Sequence, residues 1–328
     1  MKQRFPKWIA LLCALALMAA CATPTPTQEP TPPEPTPEPI VVTDLGGREV
    51  AFPVAAARMV SLTASGTEML DTLGLIGCLV GVDEDSSSLA ANVPTVGTSG
   101  EPSVADILAL APDVVLADAD LPTEALAALT QANVSVLSLE CTSLEDIMTA
   151  IFLIGVVCGR EDEANNLIYE KTADRYILEA VVEDVTPKSV YLAMGFGEGG
   201  NRSAGPGTYL DELLTAANAT NIMTALPDCP AWPQQFPTAF ILEQDPDVIV
   251  VSSLNGTAEA FCAQAEFQDL RAVKTGQVFT VDIKTLRLGL NVYTGLEHLI
   301  AAIHPDAALP TPEEPAFVSD ISDEASHP

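Results

Sequence analysis

The sequence has few basic residues, few histidines and few aromatic residues. Its 328 residues include 14 Lys and Arg against 45 Asp and Glu, which gives a formal net charge of −31. Because such a chain would be repelled by a phosphate backbone, nucleic-acid binding is excluded, and docking on anionic lipid is disfavoured. Three histidines in the whole chain argue against histidine-based catalysis and against a histidine-rich metal site. We therefore expect no enzyme, no metal site and no cofactor.

Long apolar runs are absent after the N-terminus. The run 9–20 is twelve residues long, follows three basic residues and is too short to span a bilayer. It ends in Met18-Ala19-Ala20-Cys21, which resembles a bacterial lipobox. We expect residues 1–20 to be a lipoprotein signal peptide and Cys21 to carry the lipid; a plain secretory signal cut near Ala20 is the alternative.

Both ends of the chain differ in composition from its middle. In residues 22–39, eight of eighteen residues are Pro, so the segment 21–39 is expected to be an extended tether. Residues 305–328 hold six acids and five Pro without Lys or Arg, and are expected to be a disordered acidic tail. These features predict an extracytoplasmic domain, lipid-anchored to the outer face of the cell membrane.

Five cysteines remain after Cys21, an odd number for a full set of disulfides. Cys78 and Cys158 lie in apolar runs and are expected in the core. Cys229 with Cys262 is the pair that merits a test for a disulfide.

The middle of the chain alternates short apolar strands with helical patterns, which predicts an α/β fold with mostly parallel sheets. Residues 41–52 read as a hairpin around Gly46-Gly47, and residues 40–160 form a first lobe. Residues 185–304 repeat this alternation of strands and helices and form a second lobe. The repeat is also visible in the residues, since ILALAPDVVLA at 107–117 parallels ILEQDPDVIVV at 241–251. Between them, residues 161–184 lack Pro and Gly and predict one long helix that joins two Rossmann-like lobes.

The chain resembles the substrate-binding lipoproteins of bacterial ABC importers for iron-siderophore, haem and cobalamin. The resemblance rests on ARMVSLTASGTEMLDTLGL, PTVGTSGEPSVADILALAPDVVLA, AGPGTYLDELL, AWPQ, DPDVIVVSS and FQDLRAVKTGQVFTVD, in this order. It implies a ligand cleft between two lobes and a monomer that works with a membrane permease and its ATPase. AGPGTYLDELL followed by AWPQ is closer to the cobalamin branch, so a corrinoid is the favoured ligand, with ferric siderophore or haem next.

Candidate ligand-binding residues lie in loops that follow predicted strands, where open α/β sheets place their ligands. In the first lobe these loops offer hydroxyls and carboxylates, and in the second lobe two arginines that could hold an acidic group of the ligand. Trp232 matches a family residue that lines the cleft, although a Trp packed under its loop is the alternative. The set is Ser65, Asp83, Ser99, Asp118, Arg202, Trp232 and Arg287.

Two departures from the family are visible. The resemblance implies a surface Glu on each lobe that pairs with permease Arg residues, but the chain has Ala105 in the first lobe and Thr238 or Ala239 in the second. Asp106, beside Ala105, is the remaining docking candidate. In addition, no aromatic residue occurs between Phe52 and Phe152. A surface sensor or scaffold of the same fold without permease coupling is therefore the alternative function.

Sequence motifs typical of enzymes are matched only incompletely. Residues 195–200 match G-x-G-x-x-G, but residues 201–206 separate them from the next predicted helix, where a dinucleotide site needs the third Gly. The three histidines lie at 298, 304 and 327, so no Ser-His-Asp set is expected.

Overall fold

A computed structural model describes residues 38–310. The signal peptide at 1–20, Cys21 and nearly all of the tether and tail lie outside these residues. The described chain begins with the predicted hairpin: β1 (Ile40–Thr43) pairs antiparallel with β2 (Glu49–Phe52). Gly47 adopts φ +75° in the turn, a conformation that glycine tolerates without strain.

The first lobe is built on a four-stranded parallel sheet of order β4-β3-β5-β6. Its strands are short and mostly buried, in keeping with their apolar composition. They are β3 (Met59–Ser61), β4 (Leu79–Val82), β5 (Val114–Ala117) and β6 (Ser135–Ser138).

The second lobe has a four-stranded parallel sheet of order β12-β11-β7-β9. Its strands are β7 (Lys188–Ala193), β9 (Ala219–Asn221), β11 (Val248–Ser252) and β12 (Val278–Val281). Numbered within each sheet, the spatial order is 2-1-3-4 in both lobes, so the internal repeat read from the sequence is present in the topology. A separate antiparallel ribbon joins β8 (Asn201–Arg202) to β10 (Gln234–Phe236).

Ten α-helices occur among the described residues. In chain order they are α1 (Ala64–Thr72), α2 (Val104–Ala109), α3 (Thr123–Gln131), α4 (Leu144–Cys158), α5 (Glu161–Val182), α6 (Tyr209–Ala216), α7 (Thr238–Gln244), α8 (Ala258–Cys262), α9 (Arg271–Lys274) and α10 (Val292–Ile303).

Helix α5 lies in the segment between the two sheets for which the sequence predicts a helix, and its role as the single link between the lobes stays a prediction. It packs against α4 from the first lobe and against α10 from the second. The turn between α4 and α5 is tight: a Cβ on Gly155 would lie 2.3 Å from Cβ of Ala164. The 22-residue helix is therefore held on both sides.

The structure differs from the sequence prediction in several elements. Helix α1 begins at Ala64 rather than Thr67, because Thr63 is already in extended backbone and ends the preceding loop. Helix α4 and the strands β8, β9 and β10 are not predicted by the sequence patterns. Two residues assigned to the tail by the sequence, Ala307 and Leu309, pack against the main core.

The main core connects the lobes through α5. It contains Met59 and Leu116 of the first sheet and Val190 and Val250 of the second. No helix within residues 38–310 combines the length and the apolarity needed to cross a bilayer.

Candidate functional site

A cavity of about 640 Å³ lies where the C-terminal ends of the first-lobe strands face the second lobe. Loops after β3, β4 and β5 form one wall. The loop after β12 and the start of α6 form the other. The first wall contains Leu62, Thr63, Ala64, Ser65, Glu68, Asp83, Asp85, Ser88, Leu89, Ser99, Asp118, Ala119 and Asp120; the second contains Tyr209, Lys284, Arg287, Leu288, Gly289 and Asn291.

Thr63 organises the centre of the first wall. Its Oγ1 lies 2.9 Å from Oγ of Ser65 and donates a hydrogen bond to Oδ2 of Asp118 at 3.3 Å. Burial raises the pKa of Asp118, although the hydrogen bond from Thr63 opposes the rise. This wall therefore offers a partly desolvated carboxylate that is ready to accept a hydrogen bond from a ligand.

Asp83 is the most buried carboxylate of the wall, with 3% of its surface exposed. Its Oδ1 accepts a hydrogen bond from the backbone N–H of Ser86 at 3.0 Å, and Thr67 Oγ1 donates to Ser86 Oγ at 3.0 Å. Burial raises the pKa of Asp83, and the hydrogen bonds from Ser86 lower it. This network fixes the loop after β4.

A second carboxylate–hydroxyl pair lies in the same wall. Ser99 Oγ donates to Oδ2 of Asp120 at 2.5 Å. This bond joins the loop after β5 to the segment before α2, although the two residues are 21 positions apart.

The two lobes approach each other at Glu68 of α1. A Cβ added to Gly289 would lie 3.2 Å from Glu68 Oε2 and 3.4 Å from Ser65 Cβ, so the backbone of the second lobe comes close to α1 here. Burial raises the pKa of Glu68, while the Asn291 side chain and the Arg287 charge lower it. Glu68 is therefore close enough to Arg287 of the second lobe for the charge of that arginine to affect its pKa.

Carboxylates outnumber cations around the cavity. Glu68, Asp83, Asp85, Asp118 and Asp120 face Lys284 and Arg287. Within residues 38–310, neither of these two cations forms an ion pair with a carboxylate. The cavity therefore combines an acidic wall with two cations that remain available to a ligand.

Five of the seven predicted ligand-binding residues meet in this cavity: Ser65, Asp83, Ser99, Asp118 and Arg287. Their ligand-binding role stays a prediction. The other two, Arg202 and Trp232, are outside the lining.

Arg202 is in β8, where its side chain turns against a glycine-rich loop rather than into the cavity. Its Nη2 is 3.4 Å from Asn255 Oδ1, and a Cβ on Gly195 would lie 2.6 Å from its Nε. The loop after β7 therefore holds Arg202 away from the cavity described above.

Trp232 lies beside the cavity, because its ring contacts the ring of Tyr209, which lines the cavity. The docking candidate Asp106 is exposed in the first turn of α2, beside exposed Ala105. Thr238 is the first residue of α7, where it accepts a hydrogen bond from Asn201.

Polar cavity residues outside the predicted set include Glu68, Tyr209, Lys284 and Asn291. Two of them had a signal. Glu68 lies three residues after Ser65, on the same face of a helix, and Lys284 precedes Arg287 by three residues. Tyr209 and Asn291 are at helix starts, and only the packing of the second lobe turns them toward the cavity.

Cys229 and Cys262, the pair that merits a test for a disulfide, are free in the structure, as are Cys78, Cys141 and Cys158. Among residues 38–310, no cluster of three or more His, Cys, Asp or Glu side chains is arranged to hold a metal ion.

The chain was compared with proteins of known sequence. It is 27% identical over 317 residues to the "Uncharacterized ABC transporter substrate-binding lipoprotein YvrC" of Bacillus subtilis, covering 93% of this chain and 99% of that protein. It is 27% identical over 260 residues to a cobalamin-binding protein of Halobacterium salinarum, covering 74% of this chain and 68% of that protein.

Solved structures give the same fold. A periplasmic heme binding protein from Pseudomonas aeruginosa is 27% identical and has a TM-score of 0.66, covering 78% of this chain and 96% of that chain. The molybdate-binding protein MolA of Haemophilus influenzae is 19% identical with a TM-score of 0.68, covering 81% and 91%.

These relatives are solute-binding proteins, and accordingly the chain is not an enzyme. The family model described as periplasmic binding protein matches residues 59–285, which is more than half of the chain. The two repeated parallel sheets, the cavity at their facing ends and this match lead to one assignment: the chain belongs to the periplasmic binding protein family.

Proposed function

We propose that this protein is the extracytoplasmic substrate-binding lipoprotein of an ABC importer and that it captures a corrinoid, which it delivers to a membrane permease and its ATPase. The observation that carries the ligand assignment is the charge of the cavity. Five carboxylates face two cations there. Ligands rich in N–H donors suit such a site, whereas anionic ligands meet repulsion.

A corrinoid satisfies this requirement because its periphery carries primary amides, each with two N–H donors. Asp83, Asp118 and Glu68 are partly desolvated acceptors, and burial raises the pKa of each. A hydrogen bond from an amide to a carboxylate is stronger than a bond between neutral groups. Arg287 and Lys284 remain for a phosphate or carbonyl oxygen of the ligand.

The competing ligands fit this charge distribution less well. Haem carries two carboxylates and molybdate is an anion, so both would approach the acidic wall against its field. A ferric siderophore of the neutral hydroxamate type is the second choice, because it lacks this repulsion. Sequence identity does not rank these ligands, since the chain is 27% identical both to a cobalamin-binding protein and to a periplasmic heme binding protein.

The aromatic pair Tyr209 and Trp232 supplies aromatic surface at the second wall and beside it. Tyr209 lines the cavity, and the two ring centroids are 5.9 Å apart. An aromatic surface supports the binding of a large planar ligand. Because the first lobe lacks aromatic residues from 53 to 151, such contacts would come from the second lobe.

Calorimetry on the purified exported protein tests this proposal. Cyanocobalamin, haemin, ferrichrome and molybdate are titrated separately. We expect micromolar or tighter binding of cyanocobalamin and none of molybdate at about 100 µM. Binding of haemin without binding of cyanocobalamin would overturn the corrinoid assignment.

Two variants locate the binding in the cavity. Asp83→Asn removes the charge of a buried wall carboxylate and is expected to weaken cyanocobalamin binding about tenfold. Asp162→Asn removes the same charge from an exposed position in the first turn of α5 and serves as the matched control. Equal affinity of the two variants would place the ligand elsewhere.

A sensor or scaffold without permease coupling is the second candidate. Its motivation is the pair of positions where the resemblance implies docking glutamates, Ala105 and Thr238 or Ala239. Uptake of labelled cyanocobalamin by cells with and without the gene distinguishes the two functions. Importer activity predicts loss of uptake on deletion and a decrease with Asp106→Asn; unchanged uptake with intact ligand binding favours the sensor.

A further inference from the structure

Helix α5 presents aromatic side chains to solvent. Tyr169 is 79% exposed and Tyr176 is 69% exposed. They are seven residues apart, about two helical turns, so both lie on one face of the helix together with exposed Ile177. The whole chain has five tyrosines, and two of them are therefore placed where they add little to the core. Exposed tyrosines are typical of surfaces that contact another molecule, and we call these three residues the tyrosine face.

A groove of about 650 Å³ adjoins the tyrosine face and lies between α5 and α6. Tyr176 lines the groove, so the face and the groove form one continuous surface. No described residue lines both this groove and the ligand cavity. The surface is therefore separate from the site that holds the proposed ligand.

The groove carries more negative than positive charge. Its lining includes the carboxylates of Glu179, Glu183, Asp211 and Glu212 and a single cation, Arg175. Arg175 Nε is 2.6 Å from Glu179 Oε1, so the charge of this arginine is already compensated. Among residues 38–310, the other three carboxylates form no ion pair. The groove is therefore suited to a positively charged partner.

We propose that the tyrosine face and the groove bind a basic segment of another protein, rich in Arg or Lys. A guanidinium or ammonium group is attracted to the face of a tyrosine ring. The same groups pair with carboxylates, and Arg does so through two parallel hydrogen bonds. Because Tyr176 and Glu183 line the same groove, neighbouring basic side chains of one segment can contact both.

Other occupants do not match this charge. A second copy would bring the same uncompensated carboxylates together, and each copy carries a net charge of −31. The chain's own ends, 22–39 and 305–328, contain no Lys or Arg. Anionic lipid would be repelled. Charge complementarity therefore selects a basic segment of a different protein.

Fluorescence anisotropy with a labelled octa-arginine peptide, at about 150 mM NaCl, tests the charge and the aromatic contact together. We expect Tyr176→Ser and Glu183→Gln each to weaken binding about threefold, and the double variant Tyr169→Ser/Tyr176→Ser about tenfold. Tyr176→Phe keeps the ring and should retain the affinity. Since Tyr176 is exposed, the Tm and the binding of cyanocobalamin should be unchanged in Tyr176→Ser.

Glu124→Gln is the matched control for charge, because Glu124 is an exposed acid in the first turn of α3. It should leave the affinity for octa-arginine almost unchanged. If Glu124→Gln weakens binding as much as Glu183→Gln, the peptide responds to the overall charge of the chain and the proposal is wrong. Absence of binding to the wild type at about 100 µM peptide would also contradict it.

Photo-crosslinking of the full chain in its native host identifies the partner. The photoreactive residue p-benzoylphenylalanine replaces Tyr176, or Leu254 in a control, since Leu254 is also exposed but lies in the loop after β11. We expect an adduct from position 176 and none from position 254, with Lys or Arg beside the crosslinked residue of the partner peptide. No adduct, an adduct to this chain's own peptides, or a partner peptide without basic residues would overturn the proposal.

Discussion

The ring of Tyr209 lies 5.9 Å from the ring of Trp232, with their planes inclined at 55°. Tyr209 lines the cavity between the lobes, whereas Trp232 is outside the lining and is 48% exposed. An indole that is half exposed contributes little to the core. The contact extends aromatic surface from Tyr209 to Trp232, and we propose that a ligand in the cavity reaches Trp232 as well.

We predict that Trp232→Ala weakens binding of cyanocobalamin by ~1–3 kcal/mol, the range for a stacked aromatic contact. The Tm should change little, because the side chain is half exposed. Trp232 is the only Trp outside the predicted signal peptide, so its fluorescence reports on the cavity. Bound cyanocobalamin absorbs where Trp emits and should quench it.

Trp232→Phe is the control, because it keeps an aromatic ring and should retain most of the affinity. If Trp232→Ala lowers the Tm strongly and leaves the affinity unchanged, Trp232 stabilises the fold and does not bind the ligand. Absence of quenching by cyanocobalamin at micromolar concentration would count against a macrocycle and favour a small cationic ligand at the acidic wall.

Asp118→Asn should stabilise the unliganded protein at neutral pH. Burial raises the pKa of Asp118 in the folded state above its ordinary value of 3.8, so the folded state holds this proton more tightly than the unfolded chain. Ionisation therefore lowers stability as the pH rises through the raised pKa, and the loss is absent below 3.8. Asparagine does not ionise and keeps an oxygen for the Thr63 hydrogen bond.

Thermal melts between about pH 3.5 and pH 7.5 measure this effect. We expect the Tm of Asp118→Asn to exceed that of the wild type by about 2–4 °C at pH 7.5 and to match it at the acidic end. A lower Tm for the variant at pH 7.5 would mean that the Asp118 charge stabilises the fold. The same variant should bind cyanocobalamin more weakly, because the charge of Asp118 that lowers the stability of the unliganded protein strengthens the hydrogen bond to the ligand.

Much of this arrangement could be read from the sequence because parallel strands place their C-terminal loops on one edge. Ser65, Asp83, Ser99 and Asp118 each follow a strand or adjoin such a loop, so sheet topology alone brings them together. The sequence predicts Arg202 and Arg287 equally as ligand-binding arginines of second-lobe loops. In the structure the guanidinium of Arg202 lies against Gly195 and near Asn255, outside the cavity, and no sequence pattern indicates this direction.

Helix α4 shows why part of the fold could not be predicted. Its sequence LEDIMTAIFLIGVVC is apolar on nearly every side, and eight of its fifteen residues are buried. A helix enclosed in this way lacks the polar face that produces a periodic pattern. Its start carries a clear signal, since Ser143 and Asp146 form a capping box.

Cys21→Ser should release the protein from the membrane. The expectation rests on the lipobox-like ending Met18-Ala19-Ala20-Cys21 and on the Pro-rich segment that follows. Serine offers no thiol for lipid attachment, so the chain should move to the medium or the periplasm. Cell fractionation with immunoblotting checks this, and retention of the variant in the membrane fraction would refute the anchor.

The last prediction concerns helix α5. We expect little movement between the lobes on ligand binding, because bending a continuous helix breaks its interior hydrogen bonds. Ion pairs add support along it, with Arg175 Nε 2.6 Å from Glu179 Oε1 and Lys171 Nζ 2.9 Å from Asp174 Oδ2. Small-angle scattering profiles with and without cyanocobalamin should therefore be nearly superimposable.

Thr172→Pro supplies the contrast, since Thr172 is exposed near the middle of α5 and its replacement leaves the core untouched. Proline there removes a backbone hydrogen bond and should destabilise the protein by ~3 kcal/mol, while Thr172→Ala should have little effect. With the helix interrupted, the lobes should show a broader distribution of separations in scattering. A large compaction of the wild type on binding, or a proline variant as stable as the wild type, would mean that α5 does not set the distance between the lobes.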